Sequence, residues 1–282
     1  MQRSYILTIL FSIVAIVSNA NITKDTTVTF FPRTRVFPAI FLDPLECQIN
    51  GGSYVLSQKN SKESLYSLVN LGFTKPILTQ NSNSLLWEFN FGAATFTQFD
   101  LIRTKRSGYL AGLVNNDYKI SLDLSTQKSN NIFRLRIFHV SSHLGDDYML
   151  RHNDSLPNDK SVNYEQIDFT YLKLKHNNYY YFSIGEIYTK YVFRERLSFQ
   201  GGGLYSFKNS KPINLFTSIN LKFFAENSFA PDIRTAVGLN FKRKAESMVK
   251  IWLEYYNGKL PYSTLDYGRV NWLGLAMWVN IF

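Results

Sequence analysis

Hydrophobic and polar residues alternate along most of the chain, which is the pattern of β-strands with two unlike faces. In residues 231–243, Ile233, Val237 and Leu239 fall on one face and Arg234 falls on the other. Similar alternation recurs in residues 85–92, 118–125, 213–223 and 247–256. These stretches are about ten residues long, which is the length of a tilted strand that spans a membrane. The pattern therefore predicts a β-sheet and favours transmembrane strands.

The connections between the predicted strands alternate between short and long. Counting back from the C-terminal strand, a long connection at 257–269 follows a short one at 244–245, and another long one covers 144–162. Short periplasmic turns and longer outer loops are typical of outer-membrane barrels. Ten strands fit from residue 84 onward, and segments near 54–57 and 68–78 bring the total to about twelve. The predicted fold class is all-β, an antiparallel transmembrane β-barrel of 10–12 strands.

The N-terminus has the pattern of a signal peptide. Arg3 precedes an apolar core at 5–17, which is too short to span a bilayer as a helix, and Ser18 and Ala20 are small residues at the positions that a signal peptidase reads. We expect cleavage between Ala20 and Asn21. The chain then divides into a signal peptide (1–20), an irregular N-terminal segment rich in proline and glycine (21–60) and a barrel (61–282), with the outer membrane as the expected location.

Composition narrows the class of protein. The 282 residues include 31 Lys+Arg and 21 Asp+Glu, a net charge of +10, and 16% aromatic residues. The supply of apolar side chains excludes intrinsic disorder, and the lone Cys47 excludes a disulfide scaffold. Basic residues alternate with apolar ones and do not cluster, so we expect no nucleic-acid partner. Outer-membrane lipid is the expected partner, because Lys and Arg in outer loops can meet anionic headgroups.

Several segments carry a family resemblance, namely residues 37–44, 114–118, 134–148 and 253–262. They are similar to the bacterial outer-membrane family known as domain of unknown function 1207, and the Ser-Ser-His-Leu-Gly-Asp run at 141–146 is the most specific of them. The resemblance implies an outer-membrane barrel and supplies no activity. The last strand ends at Phe282, which resembles the assembly signal of bacterial barrels and implies the outer-membrane assembly machinery as a partner.

Candidate chemistry lies at the top of the strand over residues 131–143. Alternation places His139 and Ser141 on its apolar, lipid-facing side, and Glu165 and Asn163 on the same side of the next strand. All four residues fall at the outer-leaflet ends of their strands. Ser141 could then act as the nucleophile and His139 as the general base, with Glu165, or alternatively Asn163, orienting the imidazole.

The His-x-Ser arrangement resembles the active-site strand of outer-membrane phospholipases and lipid A deacylases, which implies cleavage of lipid esters from the barrel exterior. Those enzymes continue Ser-Asn-Gly, whereas this chain continues Ser142-His143. The first interpretation is a barrel without enzymatic activity (structural, adhesive or a narrow pore), with the polar run as a hydrogen-bonded cap. The alternative is the lipid acyl hydrolase.

A metal site is a third interpretation of the same run. Asp146, Asp147 and His143 offer oxygen and nitrogen ligands, but the spacing matches no standard zinc site. We expect no cofactor, with calcium considered only if the protein is a hydrolase.

Overall fold

A computed structural model describes residues 26–58, 64–82, 85–104, 108–152, 163–176, 178–189, 195–207, 212–243, 246–261 and 268–280. The expected cleavage site at Ala20–Asn21 and the terminal Phe282 lie outside these residues, so the signal peptide and the assembly signal stay predictions.

The described chain is almost entirely β-structure. The strands are Thr27–Phe30 (β1), Asn50–Gln58 (β2), Ser64–Ser82 (β3), Leu85–Thr104 (β4), Gly108–Lys128 (β5), Asn131–Leu144 (β6), Asn163–Lys175 (β7), Asn178–Ile187 (β8), Leu197–Ser206 (β9), Ile213–Phe224 (β10), Pro231–Arg243 (β11), Glu246–Lys259 (β12) and Arg269–Val279 (β13). A short helix, Asp146–His152 (α1), and a 3₁₀ turn, Ala225–Asn227, lie in two of the connections. Among the described residues, no helix combines the length and the apolar character needed to cross a membrane.

Strands β2 to β13 form a closed antiparallel barrel. Each strand pairs with its neighbour in sequence, and β13 pairs back onto β2 with Trp272 opposite Leu56. The short strand β1 adds to the far end of β3, with Val28 opposite Gln80. The predicted all-β barrel is therefore confirmed with twelve strands in the wall, ten of them from residue 85 onward. Full closure satisfies the backbone hydrogen bonds that an open sheet edge would leave unpaired in lipid.

The two faces of the wall have the predicted polarity. Leu239 and Leu275 point outward with exposed fractions of 42% and 63%, whereas Asn240 is only 3% exposed because it points into the lumen. Exposed apolar side chains around the outside and buried polar ones inside reverse the arrangement of a soluble protein. This reversal is the expected one for a wall that faces hydrocarbon.

The N-terminal segment is not peripheral to the barrel. Strand β2 begins at Asn50, so the wall starts before residue 61, where we drew the boundary from sequence. The residues between β1 and β2, 31–49, enter the lumen, and we call them the plug. Phe37, Phe41 and Leu42 of the plug are each at most 4% exposed. The lumen is thus filled by chain from the N-terminal side.

Charged and polar contacts fix the plug to the wall. Glu46 of the plug accepts hydrogen bonds from Arg134 at 3.2 Å and from Arg136 at 3.1 Å, and Arg136 also pairs with Asp123 at 2.8 Å. Lys119 donates to the carbonyl oxygen of Leu45 at 2.7 Å. A buried carboxylate is tolerated when such partners replace its lost hydration. Alternation correctly placed the two arginines in the lumen but gave no sign of the carboxylate that joins them.

Candidate active site on the outer wall

A histidine and a carboxylate meet on the outward face of β6 and β7. His139 and Glu165 are directly opposite each other in the register of these strands. Nδ1 of His139 lies 2.8 Å from Oε1 of Glu165, and the two side chains are 38% and 30% exposed. When Nδ1–H donates to the carboxylate, Nε2 is left as the basic nitrogen of the imidazole. The imidazole is therefore oriented by a carboxylate and is partly open to the outside of the barrel, which is an arrangement that a general base requires.

The hydroxyl of Ser141 is engaged elsewhere in the same strand. Its Oγ lies 2.8 Å from Nε2 of His143, two residues further along, while His139 lies two residues back on the same face. The ring of His143 packs edge-on against Tyr118 of β5, with 5.8 Å between ring centroids. The structure thus brings together two pairs, His139 with Glu165 and Ser141 with His143. The sequence had suggested a Ser141–His139 contact.

Asn163 occupies the position across from the serine. It is the register partner of Ser141 on β7, and its amide oxygen is buried without a hydrogen-bond partner in the described part of the chain. Glu165, and not Asn163, contacts the imidazole of His139. Asn163 therefore stands opposite Ser141 in the register, whereas Glu165 stands opposite His139.

The backbone of Glu165 is held by two residues that the sequence did not indicate. Its N–H donates to Oγ1 of Thr189 at 3.0 Å, and its carbonyl accepts from the N–H of Tyr188 at 3.1 Å. Burial and the charge of Glu165 raise the pKa of the Tyr188 hydroxyl. Tyr188 and Thr189, which follow β8, thus hold the end of β7 that carries Glu165. The alternation of polar and apolar residues in the sequence gives no sign of such a backbone contact.

Behind the site, the lumen side of the wall is a closed hydrogen-bond network. Ser142, which points inward between Ser141 and His143, donates to Asp117, and Asp117 also accepts from Asn115. The segments 114–118 and 134–148, singled out by resemblance, are therefore side by side in the wall. This network joins β6 to β5 on the lumen side, directly behind the outward residues of the site.

The connection after β6 begins with a tight turn. A Cβ atom at Gly145 would lie 2.1 Å from the carbonyl oxygen of Leu113, so only glycine fits there. The carboxylate of Asp147 accepts the N–H of Leu113 at 2.9 Å, which ties α1 to β5. Within the described ranges, no three His, Cys, Asp or Glu side chains form a group that could hold a metal ion. Of the three suggested ligands, Asp147 is bonded to a backbone amide and His143 to Ser141, and a metal site at Asp146, Asp147 and His143 stays a prediction.

The site lies near one end of the barrel. The turns at the opposite end are short, with two residues between β5 and β6 and two between β11 and β12, whereas the connection from β6 to β7 spans residues 145–162. We call these the short-turn end and the long-loop end. By the usual asymmetry of such barrels, the long-loop end faces outward from the cell. On that orientation, we expect His139, Ser141 and Glu165 to lie at the level of the outer-leaflet headgroups.

Comparisons with known proteins agree with this fold. The model of the family described as "Protein of unknown function (DUF1207)" matches residues 14–280. The outer membrane phospholipase dimer of Salmonella typhi with bound calcium superposes with a TM-score of 0.54 at 11% identity, covering 89% of this chain and 96% of that one. Outer membrane phospholipase A from Escherichia coli gives 0.53 at 11% identity, covering 89% and 96%. No curated protein matches the chain. At these identities the likeness concerns the fold.

Proposed function

The chain belongs to the DUF1207 family, which brings no activity with it, and we propose from its own side chains that it is an outer-membrane hydrolase of lipid acyl esters. The observation that carries the proposal is the 2.8 Å contact between His139 and Glu165, with Ser141 two residues away on the same outward face. A serine, a histidine and a carboxylate are the parts of a nucleophile, a base and its orienting group. That the phospholipase barrels share the fold agrees with this choice.

The reaction needs one rotation within the site. Residues two apart on a strand face are about 7 Å apart, and turning the side chain of Ser141 moves Oγ from His143 toward His139. Oγ then attacks the ester carbonyl carbon while Nε2 of His139 takes its proton. The protonated imidazole, stabilised by Glu165, returns that proton to the leaving alcohol as the C–O bond breaks. Water, deprotonated by the same nitrogen, releases the fatty acid from the acyl-serine.

Asn163 supplies the remaining group that this chemistry requires. The tetrahedral intermediate carries a negative oxygen, which needs a hydrogen-bond donor about 3 Å away. The amide of Asn163 stands across from Ser141, and its Nδ2–H₂ group is such a donor. This assignment replaces the orienting role that the sequence left open for Asn163. This chain lacks the Ser-Asn-Gly continuation of the enzymes that it resembles, and Asn163 provides the oxyanion donor instead.

The position of the site indicates the class of substrate. His139 and Glu165 open to the outside of the wall, where the neighbouring outward side chains are apolar, as at Ile120 and Phe169. A substrate that reaches them must come through the bilayer, with its ester near the headgroup level. Phospholipid and lipid A both have esters at that depth. Outer-membrane lipid is therefore the substrate partner of the proposal, and the outer membrane is its location.

The deciding experiment measures fatty acid released by the purified barrel from phospholipid and from lipid A, with and without calcium. We expect release by the wild type and loss of several orders of magnitude in Ser141→Ala. We expect a smaller loss in Glu165→Ala, because an orienting group is partly replaceable. Asn163→Ala should lower kcat by about 10²–10³ with little change in KM. All variants should stay folded, as judged by migration on gels with and without boiling.

One observation favours a second function, that of a barrel without enzymatic activity. The hydroxyl of Ser141 is bonded to His143 and not to the oriented base, and such a pair also serves as a cap at a strand end. An inactive wild type under every condition above, together with unfolding of Ser141→Ala, would establish this function instead. Since the lumen is filled, a structural or adhesive barrel is then favoured over a pore.

A further inference from the structure

A groove of about 1380 Å³ lies where β8, β9 and β10 meet near the short-turn end. Its lining includes Tyr180, Gly203, Tyr205, Thr217 and Ile219, all of which belong to the outward face of these strands. The proposed hydrolase site is at the other end of the barrel, on β6 and β7. The groove is therefore a separate feature of the lipid-facing wall.

The groove exists because the wall has no side chain at its floor. Gly203 pairs with Tyr180 on β8 and with Ile219 on β10. A Cβ atom at Gly203 would lie 2.7 Å from the carbonyl oxygen of Tyr179, so a larger residue does not fit there. Tyr180 and Tyr205 stand at the sides with exposed fractions of 55% and 52%. The result is a trench with a backbone floor and aromatic walls.

A positive charge stands at the mouth of this trench. Lys175, the last residue of β7, lines the groove and is exposed. His176 follows it in the turn to β8 and also contributes to the lining. The short-turn end places both residues at the level of a headgroup layer, while the trench extends toward the hydrocarbon. An apolar trench with a cation at its interfacial end matches one chain and the phosphate of a lipid.

We propose that the groove binds one glycerophospholipid of the leaflet at the short-turn end, with an acyl chain over Gly203 and the phosphate on Lys175. A protein segment is a poorer occupant, because its peptide groups would lack partners at hydrocarbon depth. The proposal does not use Ser141 or His139. It therefore holds or fails independently of the hydrolase.

The test reconstitutes the full barrel into nanodiscs of palmitoyl-oleoyl phosphatidylglycerol and counts the lipids retained in mild detergent by native mass spectrometry. Every protein carries His139→Gln, which removes the proposed base, so that hydrolysis does not remove the probe. We expect one retained lipid. Lys175→Gln should weaken retention about fivefold, whereas Lys128→Gln, at another exposed short-turn position, should not. Thr217→Trp should fill the trench and abolish retention, while Ile251→Trp on the outer wall of β12 should not.

The proposal is overturned if Lys175→Gln and Lys128→Gln retain the lipid equally. It is also overturned if Thr217→Trp and Ile251→Trp retain it equally. It would also fail if the spectrum showed a dimer that Thr217→Trp dissolves, since a second copy would then be the occupant. Folding of each variant is checked by its migration with and without boiling. Loss of fatty-acid release in the parent protein has no bearing on these outcomes.

Discussion

At the scale of single residues, the outward face of β6 presents one serine between two histidines. His139 has an oriented ring through Glu165, whereas His143 contacts the hydroxyl of Ser141 but is itself supported by Tyr118. His143 has no carboxylate partner among the described residues, and a base without one is the weaker of the two, because a carboxylate stabilises the protonated imidazole. In the proposed mechanism, His139 is therefore the base and His143 is the residue that holds the hydroxyl of Ser141 before the reaction.

Substituting the two histidines separately tests this division. His139→Gln should abolish release of fatty acid, since it removes the base. His143→Gln should leave the reaction intact or faster, because Ser141 no longer has to leave a competing hydrogen bond. The measurement is kcat and KM for each variant on phospholipid micelles. If His143→Gln were inactive and His139→Gln active, the base would be His143 and the role of Glu165 would have to be abandoned.

The sequence predicted which of these residues share the outward face, but it did not predict the contacts between them. Period-2 alternation was enough to place His139, Ser141 and Glu165 on one face, because side-chain direction follows from backbone geometry alone. It could not decide whether Ser141 turns toward residue 139 or 143, since both neighbours are histidines at equal spacing. That choice depends on a rotamer, which a sequence pattern does not encode.

At the scale of elements, each strand has a lipid side and a lumen side. A charged side chain on the lipid side should destabilise the barrel more, the closer it lies to the middle of the membrane. Val237 is mid-strand on β11 and 48% exposed, whereas Ile213 begins β10 at the short-turn end and is 44% exposed. We expect Val237→Arg to destabilise the barrel by about 2–4 kcal/mol and Ile213→Arg by about 0–1 kcal/mol. Reversible unfolding in lipid vesicles gives both values. Equal costs would mean that depth is wrongly assigned.

The plug is the element that pattern reasoning missed. Its residues have no period, and proline and glycine on either side of Glu46 were typical of a loop. A buried irregular segment is stable only when side chains of the wall satisfy its backbone, as when Tyr179 accepts the N–H of Phe41 at 2.8 Å. The sequence has two arginines, Arg134 and Arg136, on the lumen face of β6. The apolar stretch 36–47 contains two acidic residues, Asp43 and Glu46, and it is Glu46 that pairs with both arginines.

Glu46 should therefore be critical for stability. Glu46→Gln leaves Arg134 and Arg136 buried with only Asp123 as a carboxylate partner among those described. Removing one member of such a buried group typically costs about 3–5 kcal/mol. Glu186→Gln is the matched control, because Glu186 is exposed on the outside of β8 and its loss should cost under about 0.5 kcal/mol. Urea unfolding of both proteins measures the difference, and similar midpoints would contradict the structure.

At the scale of the whole molecule, a twelve-strand wall surrounds a lumen that is packed rather than open. The plug contributes aromatic and aliphatic side chains, and the wall contributes a second buried cluster in which Trp252, Trp272 and Arg234 all donate to Glu254. Both clusters pair buried charged side chains inside the barrel, around Glu46 in the plug and Glu254 in the wall. The proposed hydrolase site, by contrast, lies on the outer wall, where His139 and Glu165 are partly exposed.

Conductance across a planar bilayer tests this packed interior directly. The wild-type barrel should insert without stepwise current, because Phe41 contacts both Phe216 and Trp252 across the lumen, with ring centroids 5.1 Å and 4.7 Å apart. Replacing residues 36–46 by a glycine–serine linker of equal length removes those contacts and should open a conducting path. Folding of the variant is checked by its migration with and without boiling, and Glu46→Ala provides a milder loosening of the plug. Stepwise current through the wild type would show that the plug does not seal the barrel. The alternative to the hydrolase would then be a pore and not a structural barrel.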